Sequence, residues 1–157
     1  MEDSPGSKID FIFKIINAFH NVVQQLQNRY NKRDSFKIDD EYDVQDLLHA
    51  LLRMEFDDIR PEENTPSYAG SSTRVDFLLK NEKTIIEVKK TRKGLSDKEI
   101  GDQLILDSQH YKAHPDCKRL ICFVYDPENR IRNPRGLEGD LNSLSTDNLI
   151  VEVFIRP

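Results

Sequence analysis

Two cysteines in 157 residues are too few for a disulfide framework, and Cys122 lies inside the apolar run LICFVY, where a buried thiol is the ordinary outcome. No cysteine spacing suits a structural zinc site. No apolar run is long enough to span a bilayer, and the acidic, polar start MEDSPGSKID lacks the basic-then-apolar order of a signal peptide. Internal repeats and low-complexity tracts are also missing. These absences lead us to expect a cytoplasmic protein with no membrane association and no second globular domain.

Charge is present in quantity but unevenly placed. A net charge of -5 argues against a protein that coats nucleic acid by bulk electrostatics. Basic residues nevertheless gather in KKTRK at 89–93 and RIRNPR at 130–135, while acids dominate 39–46 and 55–63. Either basic cluster reads as a solvated loop or as a local phosphate-binding surface.

From Ile9, the residues Ile9, Ile12, Ile16, Phe19, Val23, Leu26 and Tyr30 recur at alternating steps of three and four, a heptad seam on a long helix. Phe13, Ile15 and Val22 widen that stripe, as in an amphipathic helix lying on its own domain. The expectation is a segment 1–35 used for homodimerisation or for docking a partner protein, followed by one domain at 36–157. In a longer protein the same helix would serve as a connector.

Asp39 or Asp40 caps a second helix with Val44, Leu47, Leu48, Leu51 and Leu52 on one face, ending near Phe56. A short strand follows at 56–60, then a loop rich in proline, glycine and serine at 61–72. Ser96 and Glu99 form an S-x-x-E start for a helix that runs to about Ala113. RLICFVYD is a strand buried on both faces, RNPRGLEGDLNSL a loop and weak helix, and NLIVEVFI a final strand. The order predicts an α/β fold, α-β-β-β-α-β with a central mixed sheet flanked by helices, preceded by the long N-terminal helix.

The hairpin RVDFLLKNEKTIIEVKK at 74–90 carries the chemistry. With a turn centred on Asn81-Glu82, Leu79 pairs with Thr84 and Asp76 falls opposite Glu87. Directly opposed residues project from one face with Cβ atoms about 5 Å apart, and alternation puts Lys89 on that face as well. Two opposed carboxylates repel, and a divalent cation such as Mg²⁺ offsets the repulsion with oxygen ligands and retained waters. A lysine beside them can steady developing negative charge, so the set suits phosphodiester hydrolysis. The bland alternative is an exposed Glu87–Lys89 pair with Asp76 as a strand-end acid.

An acid on one strand, about ten residues, then E-x-K on the next strand resembles the PD-(D/E)xK nuclease superfamily. More narrowly, the blocks DVQDLLHALLRMEFDDIRPEENTPSYAGSSTRVDFLL, IIEVKKTRKGLSDKEIGDQL, YKAHPDCKRLICFVYDP and NPRGLE resemble the DpnII/MboI-like restriction endonuclease domains. Val75 stands where the motif name has proline, at a position that supplies no catalytic atom. The resemblance implies a restriction-endonuclease-like core and a metal-dependent DNA endonuclease of bacterial restriction or anti-phage defence. It implies that Asp76, Glu87 and the Val88 carbonyl hold Mg²⁺ or Mn²⁺ while Lys89 positions water or steadies the transition state. Alternatives are a catalytically silent binding or assembly module and an RNA-directed nuclease.

Accessory residues are expected around this set. Glu41, Gln45 and His49 share one helix face, as do Gln103, Asp107 and Tyr111. Gln103 is the candidate catalytic addition, with Glu41, Gln45 and Tyr111 as further accessories. Glu62 or Glu63 and the base-stacking Tyr68 come from the loop before the hairpin. Lys90, Arg92, Lys93, Arg130, Arg132 and Arg135 are the candidate contacts to nucleic-acid phosphates. His110 and His114 have a zinc-compatible spacing, but no third ligand is near and Pro115 follows.

Overall fold

The computed structural model describes residues 5–61 and 76–157. Helix α1, Pro5–Gln27, is followed by a single 3-10 turn and by α2, Glu41–Leu52. The start of α2 is fixed by Asp40, whose carboxylate accepts from the Asp43 N–H at 3.0 Å while the Asp43 carboxylate answers the Asp40 N–H. The helix stops at Leu52, earlier than expected, and the chain turns through Met54, Glu55 and Phe56 on carbonyls of Leu51 and Leu52. The first strand, β1, is only Arg60–Pro61, shorter than the sequence suggested. Proline there is tolerated because β1 is a sheet edge.

The hairpin forms in the expected register. Strands β2, Phe77–Leu79, and β3, Thr84–Lys90, pair antiparallel with Phe77 opposite Ile86 and Leu79 opposite Thr84. Helix α3, Asp97–Tyr111, is capped by Ser96, which accepts from the Glu99 N–H at 3.2 Å. Strand β4, Arg119–Tyr125, helix α4, Pro134–Asn142, and strand β5, Ile150–Arg156, complete the described chain. The sheet order is β1-β2-β3-β4-β5, antiparallel up to β3 and parallel from β3 onward. This is the α/β, restriction-endonuclease-like core with a long N-terminal helix, and β3 is its central strand.

Period-two alternation divides the sheet into two faces. Phe77, Leu79, Ile86, Val88, Ile121, Phe123 and Tyr125 pack with α1 and α2, while Leu78, Ile85, Leu120, Cys122, Val124 and Val153 pack with α3 and α4. Helix α1 supplies Ile12, Ile16 and Phe19, all 0% exposed, to the first cluster. The seam residues from Ile9 to Val23 thus pack in the chain's own core, against the sheet and α2. The broad stripe of α1 matches a sheet-facing helix rather than a narrow coiled-coil seam, and Tyr30, the last seam position, lies past the helix and is exposed. Segment 5–27 and the strands thus share one core. Among the described residues no helix is long and apolar enough to cross a membrane.

Candidate active site

Asp76 sits immediately before β2, and one more step of the observed register sets it opposite Glu87. Its Oδ2 accepts from the Val88 N–H at 2.7 Å. In an extended strand a residue's N–H and C=O leave on the same side, so the Val88 carbonyl also faces the edge where Asp76 lies. Glu87 is nearly enclosed, and its Oε2 accepts from the Tyr111 hydroxyl of α3 at 2.7 Å. Lys89 Nζ stands 3.6 Å from Glu87 Oε1 and 3.4 Å from Asp107 Oδ2. Asp107 and Tyr111, four apart, reach the cluster from one face of α3.

The electrostatics follow from burial. Burial pushes Asp76 up to about 6, with Glu41 and Asp107 adding to the rise while the Val88 N–H and Lys89 oppose it. Glu87 is pushed up to about 8, first by burial and then by the neighbouring Asp76 and Asp107; Lys89 and the Tyr111 hydroxyl offset only part. Asp107 is raised by burial, with Lys89 holding it lower. Burial alone would depress Lys89, but Asp107, Glu87, Glu41 and Asp76 together keep its ammonium above the usual lysine range. Tyr111 is raised by burial and by Glu87, so it stays protonated and donates. The site is a buried cluster of acids with too little positive charge, which is how metal-binding carboxylates are arranged.

The donor set fits a hard divalent cation in part by side chains and in part by backbone. Among the described residues no three His, Cys, Asp or Glu side chains converge closely enough to hold a metal unaided. Asp76, Glu87 and the Val88 carbonyl offer oxygen ligands only, which suits Mg²⁺ completed by water. When Asp76, Glu87, Asp107 and Lys89 are all ionised they leave two negative charges, matching those of a single divalent cation.

The accessory candidates divide. Glu41 lies close enough for its charge to act on Asp76 and Lys89. Gln45 and His49 follow on the same half-buried face, and the His49 ring packs 5.4 Å from Phe77, with Nε2 buried and without a hydrogen-bond partner. Gln103, one turn before Asp107, is exposed and has no hydrogen-bond partner among the described residues. Glu62, Glu63 and Tyr68 lie outside the described residues. His114 is buried in a turn, its Nδ1 accepting from the Asp116 N–H at 3.0 Å. Asp107, recognised in the sequence only as part of a helix face, had a signal in its four-residue spacing from Tyr111.

The basic residues are brought together selectively. Arg92, Lys98, Arg130 and Arg132 line a groove of about 480 Å³ at the start of α3, with Ser96 and Asp97 on its wall. Arg130 pairs with Glu128, whereas the exposed Arg92 and Lys93 have no ion-pair partner among the described residues. Lys90 is half-buried and donates to the Thr91 carbonyl at 3.2 Å. Arg135 is engaged elsewhere, with Glu138 and the Ile155 carbonyl. The loop bearing Arg130 is tied to the end of β3 by buried Asp126, whose carboxylate accepts from the Thr91 hydroxyl at 2.7 Å and from the N–H groups of Arg130 and Ile131. A sequence gives little warning of that link, because Thr91 and Asp126 are 35 residues apart.

The model of the DpnII-MboI restriction endonuclease family, REase_DpnII-MboI, matches residues 10–157. The chain belongs to this family. No curated protein and no solved structure matches it. The DpnII-MboI match takes in α1 from residue 10 onward together with the sheet, and the two share one core. Membership of a restriction endonuclease family supports nuclease as the class of activity.

Proposed function

We propose that the protein is a metal-dependent endonuclease that hydrolyses phosphodiester bonds in DNA, working in the cytoplasm in restriction or anti-phage defence. The observation that carries this reading is the meeting of Asp76, Glu87 and Lys89 on one face of a central hairpin. Asp76, Glu87 and the Val88 carbonyl would hold Mg²⁺ or Mn²⁺. When bound, such an ion supplies charge beside the scissile phosphate and lowers the pKa of water. Lys89 presents its ammonium where negative charge grows on the phosphate, inside a site shielded from solvent screening. The Tyr111 hydroxyl fixes one oxygen of Glu87 and so limits how that carboxylate can turn.

The basic groove at the start of α3 supports contact with the DNA backbone. Arg92, Lys98, Arg130 and Arg132 would neutralise phosphates without reading bases, which positions the duplex rather than selecting sequence. Exposed Lys93 follows Arg92 in the same loop after β3. A purely structural role is disfavoured by the site itself, since a scaffold gains nothing from two buried, mutually repelling carboxylates.

The test is incubation with supercoiled plasmid, linear duplex and single-stranded RNA, each with Mg²⁺, Mn²⁺ or EDTA, beside Lys89→Ala. Metal-dependent cleavage of DNA that disappears in the variant is the expected result. Cleavage of RNA alone would move the substrate to RNA, and activity that survives in EDTA or in Lys89→Ala would overturn the mechanism.

A further inference from the structure

Asp107 lies in ion-pair range of Lys89 and stands outside the proposed metal ligand set. It is a half-buried carboxylate on α3 whose Oδ2 is buried and receives no well-formed hydrogen bond. Lys89 Nζ lies 3.4 Å from that oxygen, close enough for an ion pair though poorly aligned for a hydrogen bond. The ammonium is shared, because Glu87 Oε1 also stands 3.6 Å away.

Sharing cannot persist if Glu87 takes up a cation. A dication held by Glu87 would repel the ammonium and compete with it for the carboxylate. Lysine has a flexible four-carbon stem and a strongly hydrated head. Deprived of Glu87 and offered nothing else, Lys89 would gain both rotamer entropy and hydration by turning outward. Asp107 reaches the ammonium from α3, the helix that also delivers Tyr111 to Glu87. One helix face therefore holds both members of the E-x-K pair, the acid by a hydroxyl and the lysine by a carboxylate.

We propose that Asp107 is the positioning residue for Lys89, the counter-ion that keeps the ammonium in the active site when Glu87 turns to a divalent cation. This rests on the nuclease reading for its catalytic meaning, but the contact itself can be tested apart from cleavage. Reactivity of Lys89 toward an amine-acylating reagent, read by mass spectrometry with exposed Lys93 as internal control, reports whether the ammonium is held. In Glu87→Gln, which imitates withdrawal of the Glu87 charge, adding Asp107→Asn should raise Lys89 acylation several-fold. Asp107→Glu in the same background should retain most of the protection.

In the otherwise unaltered chain, Asp107→Asn should lower kcat by about tenfold to a hundredfold, the effect of a misplaced catalytic group, with KM for duplex DNA and Mn²⁺ affinity by calorimetry little changed. Three results would overturn the proposal. Acylation that does not respond to Asp107→Asn removes the anchor whether or not the protein is a nuclease. Loss of Mn²⁺ binding in step with kcat makes Asp107 a metal ligand instead. Wild-type protein that cleaves no nucleic acid, with the acylation difference intact, removes the nuclease reading and the catalytic role together.

Discussion

On β3, Ile86 and Val88 enter an apolar cluster built with α1 and α2, whereas Glu87 and Lys89, their neighbours in sequence, face Asp107 and Tyr111 on α3. One strand thus serves two incompatible demands on its alternate sides. The α1 face is filled by aromatic and branched side chains, with Phe19 set edge-on to Phe123 and Tyr125 at 5.0 and 5.1 Å. The α3 face has apolar contacts below and above the acid cluster but carries buried charge in between. The difference teaches how one sheet tolerates buried charge: the first face holds the sheet together, which allows the second to keep groups that repel each other.

The sharpest way to break that comparison is Phe19→Ala. Removing a fully buried ring should cost about 3–5 kcal/mol, a large part of the roughly 5–15 kcal/mol available to a domain. Urea denaturation measures it, and a destabilisation below about 1 kcal/mol would mean that this face is not the stabilising one.

Glu87→Gln should act in the opposite direction. Glu87 and Asp76 have folded-state values raised to about 8 and about 6, so their contribution to stability is complete below the ordinary carboxylate range and is lost as pH rises through those values. The groups that set this response are Asp76, Asp107, Lys89 and Tyr111 around Glu87, with Glu41 acting on Asp76. Metal-free protein should accordingly lose stability between about pH 5 and pH 8, and Glu87→Gln should flatten that slope and gain on the order of 1 kcal/mol at pH 8. Thermal melts across this range, in EDTA, would decide it; a variant less stable than wild type at pH 8 would make Glu87 a structural ion-pair partner. Tyr111→Phe probes the same face more gently. Removing one hydroxyl donor to Glu87 should destabilise by about 0.5–1.5 kcal/mol, and no change at all would show the hydroxyl to be dispensable for holding the acid.

Much of this was legible in the sequence for specific reasons. The hairpin register followed from the short turn centred on Asn81-Glu82, which sets Leu79 against Thr84 and carries Asp76 opposite Glu87. The capping residues Asp40 and Ser96 marked helix starts by their own chemistry. The destination of the α1 stripe was not legible, because over about three heptads a seam and a sheet-facing stripe share most positions. Nor could the sequence choose between Gln103 and Asp107. They lie one turn apart on one face, and the offset of α3 along β3, set by the intervening loop, decides which of them meets Lys89.

The smallest expected effect concerns the groove rather than the sheet. Arg130 and Arg132 project from a loop whose backbone is held by Asp126, so truncating either side chain leaves the hydrogen bonds to the carboxylate in place. Arg130→Ala and Arg132→Ala should leave the melting midpoint unchanged, because surface substitutions away from such links have little effect. Each arginine that neutralises a phosphate should, when truncated, reduce the slope of log affinity against log salt by about 1. Arg135→Ala serves as the contrast: its guanidinium is engaged by Glu138 and the Ile155 carbonyl, so its removal should disturb the β5 edge without altering the salt slope. Binding isotherms on a duplex in EDTA at several salt concentrations measure both. An equal slope change for all three arginines would mean that the groove is no more a DNA surface than the rest of the basic loop.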